Sequence, residues 1–230
     1  MNYNNGQNRI NRGVILIRNK KTTLKEVAFT CQRPVSSVER VFEERSRSTM
    51  SGTSAFLKKS IKTEGFWKIS INVNSKNEVQ HLKVAGGVLR YNIEFNIPKF
   101  LSLSMDNQKI KMLNLVDQTL NKIFSDLYLD TEKLNGLKYF IRERQFESRF
   151  SGPISKHAGI SAFVLCEQRF DQAEIFIIFK NGTKEIKRSS LLITSPEEFI
   201  FNVYLNKIQW ISDKKLELLA SNGEFFSINF

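Results

Sequence analysis

Thr23-Leu24-Lys25-Glu26-Val27-Ala28-Phe29-Thr30-Cys31, then Gln32-Arg33-Pro34, then Val35-Ser36-Ser37-Val38-Glu39-Arg40-Val41-Phe42 is the stretch on which the reading of this chain turns. Two short amphipathic segments flank a tight link. Each opens on a capping-box signal, Thr23-x-x-Glu26 and Ser36-x-x-Glu39, in which hydroxyl and carboxylate satisfy the free amides of a first helical turn. Val27 and Ala28 would face Val38 and Val41, and the small Ala28 and Cys31 permit close crossing. The spacing predicts a helix-turn-helix over 23–46.

The setting of this stretch is cationic. The first 62 residues hold 13 Lys/Arg against four Asp/Glu, while the other 168 hold 22 against 19. The whole chain carries +12 with a pI near 9.7. Such a balance favours polyanions: nucleic acid, an anionic membrane surface or an acidic protein. A coding bias towards lysine would spread the charge evenly, and here it is concentrated at one end.

Within Thr23 to Phe42 the chain resembles the DNA-reading segment of the lactose-repressor family. The matching strings are Leu24-Lys25-Glu26-Val27-Ala28 and Ser36-Ser37-Val38-Glu39-Arg40-Val41. The family's alanine falls on Ala28 and its buried valines on Val27, Val38 and Val41. The resemblance implies that Arg33, Ser36, Ser37 and Arg40 lie near DNA, where arginine bridges phosphates or a guanine edge and serine bonds a phosphate oxygen. It covers about 20 of 230 residues, and nothing after residue 60 resembles the family's sugar-binding domain. The charge adds Arg18, Lys20, Lys21, Arg45, Arg47, Lys58 and Lys59 to the expected nucleic-acid-binding set.

Further along, 13–18 has the β-branched character of a short strand, and the basic, small-polar run 45–54 reads as a link between domains. Ile69, Ile71 and Val73 alternate with polar residues over 66–73. A second strand follows, interrupted at Gly86-Gly87; Leu89, Tyr91, Ile93, Phe95 and Ile97 mark the buried face of an antiparallel strand with one wet face. Apolar residues from Ile110 to Leu127 recur at helical spacing, and a second helix is expected from a Thr131 cap to about Glu147. Strands are expected at 162–166, 174–179, 183–188, 199–205, 207–210, 216–219 and 225–230, with hairpin turns at Asn181-Gly182 and Asn222-Gly223. The expected fold is α+β: a basic N-terminal helix-turn-helix-like element over 1–60, then a mostly antiparallel β-rich domain over 61–230 with a central helical pair.

Evidence for catalysis is thin. Cys31 and Cys166 have no metal or redox spacing and are expected as buried thiols. His81 and His157 have no metal-ligand neighbours in sequence. Asp171, Glu185 and Lys187 alone suggest a metal-dependent nuclease core, in which two carboxylates hold a divalent cation and lysine assists water. The expectation is a nucleic-acid-binding protein and not an enzyme, without cofactor, with DNA or RNA as partner and a possible homo-oligomer. Two alternatives share the composition: a virus-encoded RNA-binding coat or movement protein with a basic arm, and a toxin-neutralising interaction partner. No apolar run has the length of a membrane span, and Met1-Asn2-Tyr3-Asn4-Asn5-Gly6 lacks an apolar signal segment, so a location in the cytoplasm, or with nucleic acid within the cell, is expected.

Overall fold

A computed structural model describes residues 21–31, 35–58, 60–74 and 82–230. The expected strand at 13–18, and Arg18, Lys20, Arg33, Lys59 and His81, lie outside the described residues. The fold is α+β, as expected, but its first element corrects the reading of the opening stretch. Lys21–Thr23 is strand β1 and Glu26–Cys31 is strand β2, so the segment 23–31, expected as the first helix, is extended. In β2, Val27, Phe29 and Cys31 enter the core while Glu26 and Thr30 point the other way, a period of two and not of 3.6. Thr23 is no helix cap: it sits opposite Lys62 in a two-stranded ribbon of β1 with β3, Lys62–Glu64. Valine, phenylalanine and threonine favour a pleated, half-buried surface, and an apolar neighbouring strand supplies that surface.

The second capping box is real. Ser36 Oγ accepts the Glu39 N–H at 3.2 Å, and the Glu39 carboxylate accepts the Ser36 N–H at 2.8 Å. It starts helix α1, which runs the whole length Ser37–Leu57. The expected inter-domain link at 45–54 is therefore the middle of this helix, and among its residues Ser46, Ser48, Thr49, Gly52 and Thr53 are buried. Small side chains let neighbouring elements approach closely. Two of their hydroxyls bond back within the helix, Ser46 to the Glu43 carbonyl at 2.7 Å and Thr53 to the Thr49 carbonyl at 2.8 Å, while those of Ser48 and Thr49 are buried without a partner among the described residues.

Helix α1 crosses from β2 to strand β4, Lys68–Asn74, which lies parallel to β2. Strands β5, Lys83–Ala85, and β6, Val88–Glu94, complete a sheet in the order β2-β4-β6-β5. Strand β6 pairs with β4 in parallel, against the antiparallel expectation, although its buried face (Leu89, Tyr91, Ile93) is the expected one. Gly86 and Gly87, both at positive φ, form the β5–β6 turn. The Trp67 indole lies against Gly87: a Cβ there would stand 2.7 Å from its Cδ1 and Nε1.

Helices α2, Ile97–Leu101, α3, Met105–Asp126, and α4, Leu137–Glu143, cover the inner side of this sheet. The expected second helix is broken. Thr131–Leu134 is a 3₁₀ turn, and Gly136, left-handed at φ +86°, separates it from α4. Residues from Leu24 to Ile141, with Phe170, share one core, so the expected boundary at 60/61 falls inside a packed unit.

A second core begins after α4. Strands β7 (Ser148–Ser151), β8 (Ser155–His157), β9 (Ile160–Gln168), β10 (Ala173–Asn181) and β11 (Lys184–Thr194) form an antiparallel sheet of order β11-β10-β9-β7, with β8 on β9. A short helix α5, Glu198–Phe201, and a 3₁₀ turn occupy the expected strand at 199–205. Strands β12 (Ile208–Ser212), β13 (Lys215–Leu219) and β14 (Phe225–Asn229) close the lobe, with Asn181-Gly182 and Asn222-Gly223 at two hairpin turns. Among the described residues no helix is long and apolar enough to cross a membrane.

Candidate functional site

The α1 residues expected to contact nucleic acid do not form a common free face. Ser36 is occupied as the cap, and Ser37 is exposed beside it. Arg40 is exposed and reaches Glu44 one turn on, at 3.8 Å. Arg45 crosses to α3, where its Nη1 donates to Gln108 Oε1 at 2.9 Å. Arg47 turns to the second lobe and meets Glu197 at 3.8 Å and Glu198 at 3.6 Å. Val38, expected in a helix–helix core, is 42% exposed. Arg45 and Arg47, expected to add to the nucleic-acid-binding charge, are therefore engaged within the protein.

What the fold does assemble is a lysine corner. The β1–β3 ribbon places Thr23 opposite Lys62 and Lys21 opposite Glu64. Lys62 Nζ donates to Thr23 Oγ1 at 3.1 Å. Lys58 caps the C-terminal end of α1 four residues before Lys62. Lys25 lies between β1 and β2, with its main-chain N–H donated to the Trp67 carbonyl at 2.8 Å. All four lysines are exposed, and Lys21, Lys25 and Lys58 have no carboxylate partner among the described residues. Trp67, whose carbonyl takes the Lys25 N–H, is 39% exposed with its indole against the Gly87 main chain. Lys21 and Lys58 belong to the expected set, and Lys62 to the same basic run; Lys25 and Trp67 do not, because their place next to the ribbon depends on the β1–β3 pairing.

Next to this corner, a cleft of ≈ 450 Å³ runs between the lobes. Its floor is the edge of β2 that faces α1. In a strand, alternate residues turn their main-chain N–H and C=O to the same side. Val27 N–H points away from β4 and donates to Ser54 Oγ at 2.9 Å; Cys31 N–H does the same to Glu43 Oε1 at 2.7 Å. Phe29 lies midway. Opposite it, α1 presents Met50, which is apolar, and Ser46, whose hydroxyl is turned back on its own helix. No described group bonds the outward N–H or C=O of Phe29.

The far wall comes from the second lobe: Phe150, Glu198 and Phe199. Ser51 Oγ donates to Glu198 Oε1 at 2.9 Å across it. Arg47 lines the cleft too, and its buried Nε has no partner among the described residues. Burial pushes the neighbouring Glu197 carboxyl above its ordinary value, against the pull of Arg47. Nothing in the sequence pattern marked these positions, since Glu197-Glu198-Phe199 read as the approach to a strand.

The nuclease reading is overturned. Asp171 precedes β10 and Glu185 pairs with Lys180 near that strand's other end, so the two carboxylates stand about 25–30 Å apart. Lys187 Nζ donates instead to the Asn229 carbonyl at 2.8 Å. Among the described residues no group of His, Cys, Asp and Glu could hold a metal ion. His157 pairs with Asp213 at 2.6 Å. Both cysteines are buried, and burial, then the charges of Glu167 and Glu198, push the Cys166 thiol up to about 12.

No protein-family model matches the chain, and comparison with curated proteins and with solved structures finds no significant match.

Proposed function

We propose that the protein binds single-stranded nucleic acid through its sugar–phosphate backbone, with the lysine corner as the contact surface. One observation carries this reading. Lys21, Lys25, Lys58 and Lys62 are exposed on and next to the β1–β3 ribbon, the first three without a carboxylate partner among the described residues, and the Trp67 main chain bonds Lys25 while its indole is partly exposed. Unpaired ammonium groups neutralise phosphates and release counterions. An exposed aromatic face next to them gives an unpaired base a surface on which to stack, whatever its identity. The first segment of the helix-turn-helix in the sequence resemblance is strand β2 and not a helix, which favours strand binding over duplex reading. The reading is therefore of a strand binder with little sequence preference, and of a binding protein, not an enzyme.

Binding of the full chain to single-stranded RNA, single-stranded DNA, duplex DNA and heparin at one salt concentration tests the class of ligand. Both single strands should bind more tightly than duplex of equal charge. Trp67→Ala should weaken the single strands roughly tenfold, within the range of one base–aromatic stack, and leave heparin unchanged. Heparin binding as tight as RNA, with no effect of Trp67→Ala, would contradict the proposal.

A further inference from the structure

We infer that the inter-lobe cleft is a site for one nucleobase, met at its edge by the main chain of Phe29. The inference rests on the reading above for the source of the base. Its chemistry rests on the cleft itself.

The floor offers a single donor–acceptor pair. An extended peptide adding to the β2 edge would need a row of such pairs, and Ser54 and Glu43 already occupy the positions on either side. An isolated N–H and C=O, one residue wide, suits a flat heterocycle that carries a donor and an acceptor side by side. Every nucleobase does so on its Watson–Crick edge. The aromatic side chains of Phe150 and Phe199 stand on the wall. The ring of Phe29 packs against Phe42 in the core, at 5.7 Å between centroids, so only its main chain serves the cleft.

Further polar groups remain for a ring's other edges or its sugar. The Arg47 Nε–H is a buried donor with no described acceptor. Ser51 and Glu198 supply a hydroxyl and a carboxylate. A volume of ≈ 450 Å³ lies in the range of small-molecule sites and holds a base with its ribose. Placement completes the case. Glu26 and Ser54 line the cleft at one end. Lys25 precedes the first, and Lys58 follows the second by one turn of α1, about 6 Å along its axis. A strand lying across the lysines passes the mouth of the cleft.

The test compares a short single-stranded RNA with the same sugar–phosphate chain lacking its bases, on the full chain and on Phe199→Ala and Ser51→Leu. Phe199 is 67% exposed, so its truncation leaves the core intact. A parallel arm titrates the four nucleoside monophosphates, which separates a free nucleotide from a base within a strand. The parent should bind intact RNA about tenfold more tightly than the abasic chain. Both variants should shrink that ratio, with the salt dependence of binding unchanged. If the ratio survives in both variants and no nucleotide binds, the cleft inference is wrong, while strand binding through the lysines still stands. If no oligomer binds, the proposed function fails; saturable nucleotide binding that Phe199→Ala abolishes would then sustain the cleft alone, and its absence would end that too.

Discussion

At the scale of single residues, the junction between the lobes shows how burial sets chemistry. Glu197 is buried beside Arg47, yet desolvation outweighs that attraction and its carboxyl holds a proton more tightly than an exposed glutamate. The native state thus binds a proton that the unfolded chain releases above about pH 4.3. Its contribution to stability is present in full below that value and is lost as pH rises through the raised native value. Glu197→Gln should therefore melt at or above the parent temperature at pH 7, and the difference should close towards pH 4. A variant clearly less stable at pH 7 would show that the pair with Arg47 dominates. Glu167 is the contrasting case. Also buried, it is met by Arg149 at 3.2 Å, Arg188 at 3.1 Å and Arg169 at 3.4 Å, so three guanidinium groups share one carboxylate.

At the scale of elements, α1 explains what could and could not be read in the sequence. Its start was legible because Ser36 and Glu39 make a local, reciprocal contact that depends on nothing distant. Its continuation was not. Arg-Ser-Arg-Ser-Thr-Met-Ser-Gly-Thr-Ser has weak helix propensity, and only tertiary burial against β2 and α4 holds it helical. The same logic hid β2. Thr23 and Glu26 have the spacing of a cap, but the choice between strand and helix lies in the parallel partner β4, some 40 residues away. Local signals served well where contacts are local: Ile110 to Leu127 on α3, Asn181-Gly182 and the alternation of β6. They failed at 199–205, where Phe199, Phe201 and Val203 alternate like a strand and form helical turns instead. The candidate site was legible only as charge. Lys21 and Lys58 were visible as cations, whereas their meeting with Lys25 and Trp67 is a product of pairing. Helix α1 offers its own check. Gly52 is buried in mid-helix, and a Cβ there would meet Ile141 Cγ1 at 3.5 Å, an ordinary contact. Gly52→Ala should raise stability by about 0.5–1 kcal/mol in a denaturant titration. Destabilisation would mean that 45–54 is not packed as a helix interior.

At the scale of the whole molecule, two lobes divide the work. Residues around the first core hold the lysine corner, and the second lobe supplies the far wall of the cleft. The positive charge of the amino-terminal part splits in two. Among the described residues Arg45 and Arg47 pack α1 against α3 and the second lobe, and the proposed function gives the exposed lysines to an external anion. That division is the central claim, and the salt dependence of strand binding tests it most directly. In a titration of the full chain with single-stranded RNA over a salt series, Lys21→Ala, Lys58→Ala and Lys62→Ala together should lower the log–log slope by about 2, near 0.7 per phosphate contact. Removing Lys109 and Lys111 from α3 should leave it unchanged. A slope that the triple variant does not move, or that both sets move equally, would contradict the account.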